Sequence, residues 1–202
     1  MLCENLEKRQ YYFEIRADEQ KGAAVVTGQP IVYGSKTDLY YFDEVIEKGA
    51  LDHTDLKDVV FLVNHDMAKI PLARAKEGSD HSTMSLEVTK KGLFIEVQLD
   101  TENNTEAKSL YSAIKRRDIT GMSFLFEVAK AEWENLDTEH PTRHIKEIKR
   151  VLEVSAVTFP AYEATHISAR GKEDFQKMVD SKRANQNLEL EKLKALYLYC
   201  SV

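Results

Sequence analysis

The sequence predicts a mostly-β domain of α+β class, with one central helix and a helical C-terminal tail. Three observations carry this. Short stretches of alternating apolar and polar residues recur between residues 10 and 159, separated by glycine, proline and aspartate turn signals. A single segment in that span, "NNTEAKSLYSAIKRRD" (103–118), has helical spacing. From residue 171 the composition turns charged, with apolar positions at Phe175, Met178, Val179, Leu190, Leu193 and Leu196. That spacing suits one or two amphipathic helices, so the chain divides into a body, 1–170, and a tail, 171–202.

Taken in order, "QYYFEIR" (10–16) and "GAAVVTGQPIVYG" (22–34) are expected strands, the second punctuated by glycines and Pro30. "FDEVIEKGAL" (42–51) is expected to be a short helix or turn. Val59 to Val63 form an apolar run that suits a strand buried on both faces. "IPLARAKE", "STMSLEVT" and "LFIEVQLD" give three more strands, the last placing Leu93, Ile95, Val97 and Leu99 on one face. In the helix, Ala107, Leu110, Tyr111 and Ile114 line one side. Asn103 with Glu106 reads as its capping box, and Lys115, Arg116 and Arg117 suit its C-terminal dipole. Strands resume at 119–130 and 144–159, and Pro160 closes the second.

Length and composition narrow the function. The 202 residues are 43% hydrophobic and 31% charged, enough for a core in one domain. The net charge of −6, with signs interspersed, does not suit a nucleic-acid-binding surface. No apolar run approaches the ~20 residues that span a bilayer, and "MLCENLEKRQ" lacks the apolar core of a signal peptide. Cys3 and Cys200 offer neither a disulfide framework nor metal spacing. The expectation is a soluble protein of a reducing compartment, with no cofactor, metal, membrane or nucleic-acid partner.

Three stretches hold candidate chemistry. In "VVFLVNHD" (59–66), His65 leaves the end of an apolar strand, rigidly mounted yet accessible. A lone turn histidine is more often structural. In "DITGMSFLFEV" (118–128), Met122, Phe124, Phe126 and Val128 point one way, and Ser123 the other, beside Gly121. Taken alone it is an ordinary strand serine. It gains a nucleophile's role only with a base in reach, and His65 is the best-placed histidine. In "VLEVSAVTFPA" (151–161), Leu152, Val154 and Ala156 share one face, with Glu153, Ser155 and Val157 on the other. Glu153 in so apolar a stretch needs a partner, either Arg150 or an imidazole that it orients.

Rival constellations are weaker. His65, Asp66 and His81 lack a supporting metal motif. A dyad of Ser123 with Lys130 puts the two on opposite sides of a regular strand. No GxGxxG, P-loop or GxSxG elbow occurs.

In their order along the chain, "NHD", "ITGMSFLFEV" and "LEVSAVTFPAY" resemble the prohead proteases of tailed bacteriophages, distant relatives of the herpesvirus assemblins. "FDEVIEKGAL" is similar to that family's E-x-I-x-x-G-A-F stretch, with Leu51 in place of the aromatic. "KKGLFIEVQL" is similar to the segment after its histidine strand. Tyr162 departs from the family's P-A-N, and the likeness spans roughly residues 12–170.

The resemblance implies a small, mostly antiparallel herpesvirus-protease-like β-barrel with surrounding helices. It implies a serine endopeptidase with His65 as base, Ser123 as nucleophile and Glu153 as acidic partner. His144 and His166 are the alternatives for the third place, which in the herpesvirus relatives is a histidine. Arg116 and Arg117 are candidates for helping to position substrate, and more simply a helix-terminal charge cluster. The implied partners are the major capsid protein with its scaffolding segment and the protease itself, in the assembling prohead within the host cytoplasm. A portal contact and a homo-oligomer are compatible with it. The competing class is a non-catalytic capsid scaffold or assembly protein with the same fold.

Overall fold

The computed structural model describes residues 6–11, 15–20, 23–39, 41–138, 140–158 and 180. The chain divides into two compact units, Met1–Glu163 and Ala164–Val202. The expected tail helices, Pro160, Tyr162 and His166 lie outside the described residues.

The strands are β1 (Leu6–Tyr11), β2 (Ile15–Gln20), β3 (Ala23–Val32), β4 (Lys36–Asp38), β5 (Asp43–Ile46), β6 (Asp58–Val63), β7 (Ala73–Lys76), β8 (Met84–Thr89), β9 (Gly92–Leu99), β10 (Gly121–Glu134) and β11 (Thr142–Val157). A helix, α1 (Thr105–Lys115), connects β9 to β10. No described helix is long and apolar enough to cross a membrane.

The mostly-β class with one central helix holds. Most strand pairs are antiparallel, as expected, but the described strands do not close into a barrel. The described strands form two sheets, one of seven strands in the order β1-β10-β11-β5-β4 with β6 and β7 branching from β11, and one in the order β2-β3-β9-β8. The branch explains the difference. β11 pairs antiparallel with β10 along one edge. Its other edge is shared: Thr142–Ile145 pairs parallel with β5, and Glu153–Ala156 parallel with β6. Between these, the 50–55 segment serves the ladder, Ala50 O accepting from Ile148 N at 2.8 Å and Asp55 N donating to Lys149 O at 2.9 Å.

The expected helix or turn at 42–51 is β5 followed by turns. Glu, Lys and Ala favour a helix locally, but Phe42 and Ile46 are buried and β11 supplies a parallel edge, so tertiary pairing overrides propensity. In α1, Ala107, Leu110 and Ile114 are buried as their spacing predicts. The cap, however, is Asn104, whose Oδ1 accepts from Glu106 N at 2.9 Å and Ala107 N at 3.1 Å. Such a cap stabilises by about 1 kcal/mol. Asn103 instead bonds to Asp100.

Leu93, Ile95, Val97 and Leu99 of β9 are all buried, as alternation requires. Gly92 opens that strand at φ +136°, where an added Cβ would lie 1.9 Å from Ile31 O, so no other residue fits the approach of β9 to β3. In β10, Met122, Phe124 and Phe126 are fully buried. In β11 Val154 and Ala156 are buried as expected, but Val151 is buried where Leu152 was expected, and Leu152 is only half-buried. The register shift between Leu125 and Phe126 explains this, because Leu125 pairs with Glu153 but Phe126 pairs with Val151, leaving Leu152 as an extra residue.

Candidate active site

β11 is the strand on which the site is assembled. Cross-strand partners point to the same side of a sheet. Ser123 pairs with Ser155 and Leu125 with Glu153, so Ser123, Glu153 and Ser155 share the face opposite the aromatic stripe. On the other edge of β11, Leu62 pairs with Ser155 and Val63 with Ala156. The end of β6 therefore delivers the next residues of its chain beside Ser155.

The "NHD" sequence performs that delivery. Asn64 N continues the parallel ladder to Ala156 O at 3.0 Å. The chain then turns through two left-handed residues, Asn64 at φ 52° and His65 at φ 59°. Asparagine tolerates this conformation better than most residues. Its side chain also grips the end of β11, Oδ1 accepting from Thr158 N and Nδ2 donating to Thr158 Oγ1, each at 3.0 Å. Asp66 Oδ1 caps the turn by accepting from Ala68 N at 3.1 Å. His65 is thereby held in a sparsely populated backbone state, a cost that recurs at functional sites.

The outcome is a continuous line of hydrogen bonds. His65 Nε2 lies 2.5 Å from Ser123 Oγ, and His65 Nδ1 lies 2.6 Å from Glu153 Oε2. The His65 ring is 4% exposed and the Glu153 side chain 0%. A buried carboxylate needs each oxygen satisfied. Oε2 meets the imidazole, and Oε1 accepts the hydroxyl of Ser155. Ser155 Oγ in turn accepts the backbone N–H of His65 at 3.0 Å. One fully buried serine thus ties the carboxylate to the backbone of the histidine.

Ser123 has a further neighbour. Its hydroxyl donates to the backbone carbonyl of Arg9 at 2.6 Å. Strand β1 lies antiparallel along β10, with Gln10 opposite Ser123. Glu7 and Arg9 point to the core face, across from Phe126 and Phe124. There they form a buried cluster with Glu44 and Arg143. Arg9 binds Glu44 through Nε at 2.5 Å and Nη2 at 2.8 Å, and it also binds Glu7. Arg143 binds both Glu7 oxygens, at 2.6 and 2.8 Å, and Glu44 Oε2 at 3.1 Å. Burial pushes the Glu7 carboxyl up, but Arg9 and Arg143 together outweigh it and hold it below the usual glutamate value. Burial likewise works against the Arg143 charge, and Glu7 and Glu44 reverse that.

The structure therefore brings His65, Ser123 and Glu153 together and leaves the other candidates apart. His144 sits between Glu47, at 2.6 Å from Nδ1, and Glu134, at 3.1 Å from Nε2. Lys130 pairs with Glu132 at 3.1 Å. Arg150 pairs with Glu127 rather than with Glu153, its Nε donating at 2.8 Å. Asp66 and His81 are exposed, and Arg116 pairs with Asp118 on the surface. Among the described residues the grouping with metal-ligand proximity is Asp38, Asp43 and His140, at the surface, where Lys36 already neutralises Asp43 at 2.5 Å.

Sequence reasoning missed Ser155, although the alternation of "LEVSAV" already set it on the Glu153 face. The Arg9 carbonyl leaves no sequence signal, because any residue supplies one.

A hydroxyl, an imidazole and a carboxylate in series, with the imidazole bridging, can move a proton off the hydroxyl and stabilise the resulting imidazolium. Residues 12–180 match the caudovirus prohead serine protease family. The prohead protease of Enterobacteria phage HK97 is 32% identical over 122 residues, which is 60% of this chain and 48% of that protein. The chain thus spans about half the length of this curated relative. No solved structure matches it significantly. Since the family match extends over most of the sequence, the chain belongs to the caudovirus prohead serine protease family.

Proposed function

We propose that the protein is a serine endopeptidase of phage prohead maturation, with Ser123 as nucleophile, His65 as general base and Glu153 as the group that orients the base. The observation that carries this is the hydrogen-bonded line from Ser123 Oγ through both ring nitrogens of His65 to Glu153 Oε2. Ser123 Oγ attacks the scissile carbonyl carbon while His65 Nε2 takes its proton. The Nδ1–H bond to Glu153 stabilises the imidazolium, which then protonates the leaving amine. Water, activated by the same imidazole, releases the acyl group and restores the serine.

Family membership supports the substrate class: scaffold, the scaffolding segment of the major capsid protein, and the protease itself, inside the assembling prohead. The test compares wild type with Ser123→Ala, using a fluorophosphonate probe and a capsid protein that still carries its scaffolding segment. Wild type should be labelled and should cut. The variant should do neither while keeping its circular dichroism, since loss of such a nucleophile costs about 10⁶-fold in kcat. A folded variant that still cuts would remove Ser123 from the role. A wild type that neither labels nor cuts would favour a non-catalytic assembly protein.

A further inference from the structure

The nucleophile of the proposed site is sealed. Ser123 is 0% exposed, as are Glu153 and Ser155. A scissile carbonyl must come within about 3–3.5 Å of the attacking oxygen, and a serine without accessible surface admits none. Among the described residues strand β1 lies against it, with Gln10 opposite Ser123 in the ladder and Arg9 O at 2.6 Å from Oγ. The contact also has a chemical effect. A hydroxyl has one proton, so a Ser123 that donates to Arg9 does not donate to His65 Nε2, and the first proton transfer of the proposed mechanism has no donor.

We infer that β1 is a removable cover: docked on β10 it keeps Ser123 inert, and the serine becomes reactive when β1 leaves. This rests on the serine-protease reading of the site and adds its regulation.

Two features make the departure feasible. Among the described strands β1 is an edge strand, paired with β10 alone. Its two buried charges also leave as a pair. Glu7 and Arg9 both belong to β1 and bind each other. Glu44 and Arg143 remain behind on β5 and β11, still bonded at 3.1 Å. The four-residue cluster divides into two neutral halves, so neither position strands an unpaired buried charge, which is the usual obstacle to breaking such a cluster. With β1 docked, Arg9 also rests against the Phe126 ring at 5.7 Å, and each of the four charges has a partner of opposite sign. That favours two discrete positions over a gradual loosening.

The test tethers the strand. Lys8 and Leu125 are register partners on β1 and β10. Lys8→Cys with Leu125→Cys, in a chain carrying Cys3→Ala and Cys200→Ala, allows a cross-strand disulfide. The oxidised protein should lose fluorophosphonate labelling of Ser123, and reduction of the same sample should restore it. Equal labelling in both redox states would overturn the inference.

A second measurement does not depend on catalysis. In the wild-type chain, hydrogen exchange at the paired amides of β1 should proceed through a local opening populated at about 0.1–10%. Those amides should then exchange faster than the amides of β11. Exchange of β1 only as slow as that of β11 would overturn the inference even if labelling were unobtainable. Wild type that is never labelled, together with a β1 that opens locally, would count against the proposed chemistry and leave the moving strand standing.

Discussion

Ser123 and Ser155 face each other across the β10–β11 ladder, both fully buried, and His65 bonds to each of them. The first meets its ring and the second its backbone N–H. The histidine is thus fixed at two points by one cross-strand pair, whose Cβ atoms in such ladders lie about 4.5–5.5 Å apart. The position of His65 is set by sheet register and does not depend on a loop finding its place.

Ser155→Ala tests that arrangement. The change removes one oxygen, leaving Glu153 Oε1 and the His65 N–H without their partner. The fold should persist, because a buried serine gives way to a slightly smaller residue. The labelling rate should fall about 10²-fold, the scale of a small misplacement of a catalytic group, with the loss in the chemical step rather than in probe binding. Ser155→Thr, which keeps the hydroxyl, should recover part of it. A rate unchanged in both variants would make Ser155 a packing residue.

Glu153→Gln separates orientation from stability. The amide keeps the shape but not the charge that stabilises imidazolium. The equivalent acid-to-amide change in a Ser-His-Asp enzyme costs about 10⁴ in kcat. Melting temperature and kcat should be measured on one sample, because a structural pair alone predicts lower stability with a nearly intact rate. A near-wild-type rate would exclude Glu153 from the orienting role and move the search to His166.

Acid should loosen the protein partly through Glu7. Its folded value lies below the ordinary 4.5. The unfolded chain therefore binds more protons than the folded one in that window. The stabilisation is fully present above pH 4.5 and is lost as pH falls through the lowered folded value. Glu7→Gln should flatten the acid limb of a plot of melting temperature against pH. It should also lower the unfolding free energy at neutral pH by about 3–5 kcal/mol, since Arg9 and Arg143 lose a charged partner. An unchanged acid limb would mean that Glu7 stays ionised in neither state or in both.

Removal of residues 171–202 should leave both sheets standing, since the last described strand ends at Val157. Circular dichroism and a melting curve check this. An insoluble product would mean that the tail completes the core.

The candidate site was legible in sequence because its three members sit at the ends or on the uncrowded faces of apolar strands, where alternation gives direction. β3, β8 and β9 of the second sheet were legible for the same reason, whereas the single strand expected at 10–16 covers only the end of β1 and the start of β2. What escaped the sequence has specific causes. β1 begins earlier than alternation suggested, because Glu7 and Arg9 are buried as ion pairs and a charged pattern does not announce a buried strand. β5 was masked by helix-forming residues that tertiary pairing overrules. The extra residue at Leu152 changed the face of Val151, and a bulge is set by the partner strand rather than by the bulged one.

The central place of β11 has a consequence in time. It is the last described strand to be synthesised, and β5, β6 and β10 all pair with it. His65 precedes Glu153 by 88 residues. At about 5–20 residues per second, a nascent chain waits roughly 4–18 s between making the one and the other. During that interval the histidine has no carboxylate, its turn has no Thr158 to grip, and Ser123 has no Ser155 across from it. An unfinished polypeptide therefore does not yet hold Ser123, His65 and Glu153 together, so on the proposed reading the order of synthesis itself delays any cleavage until β11 is made.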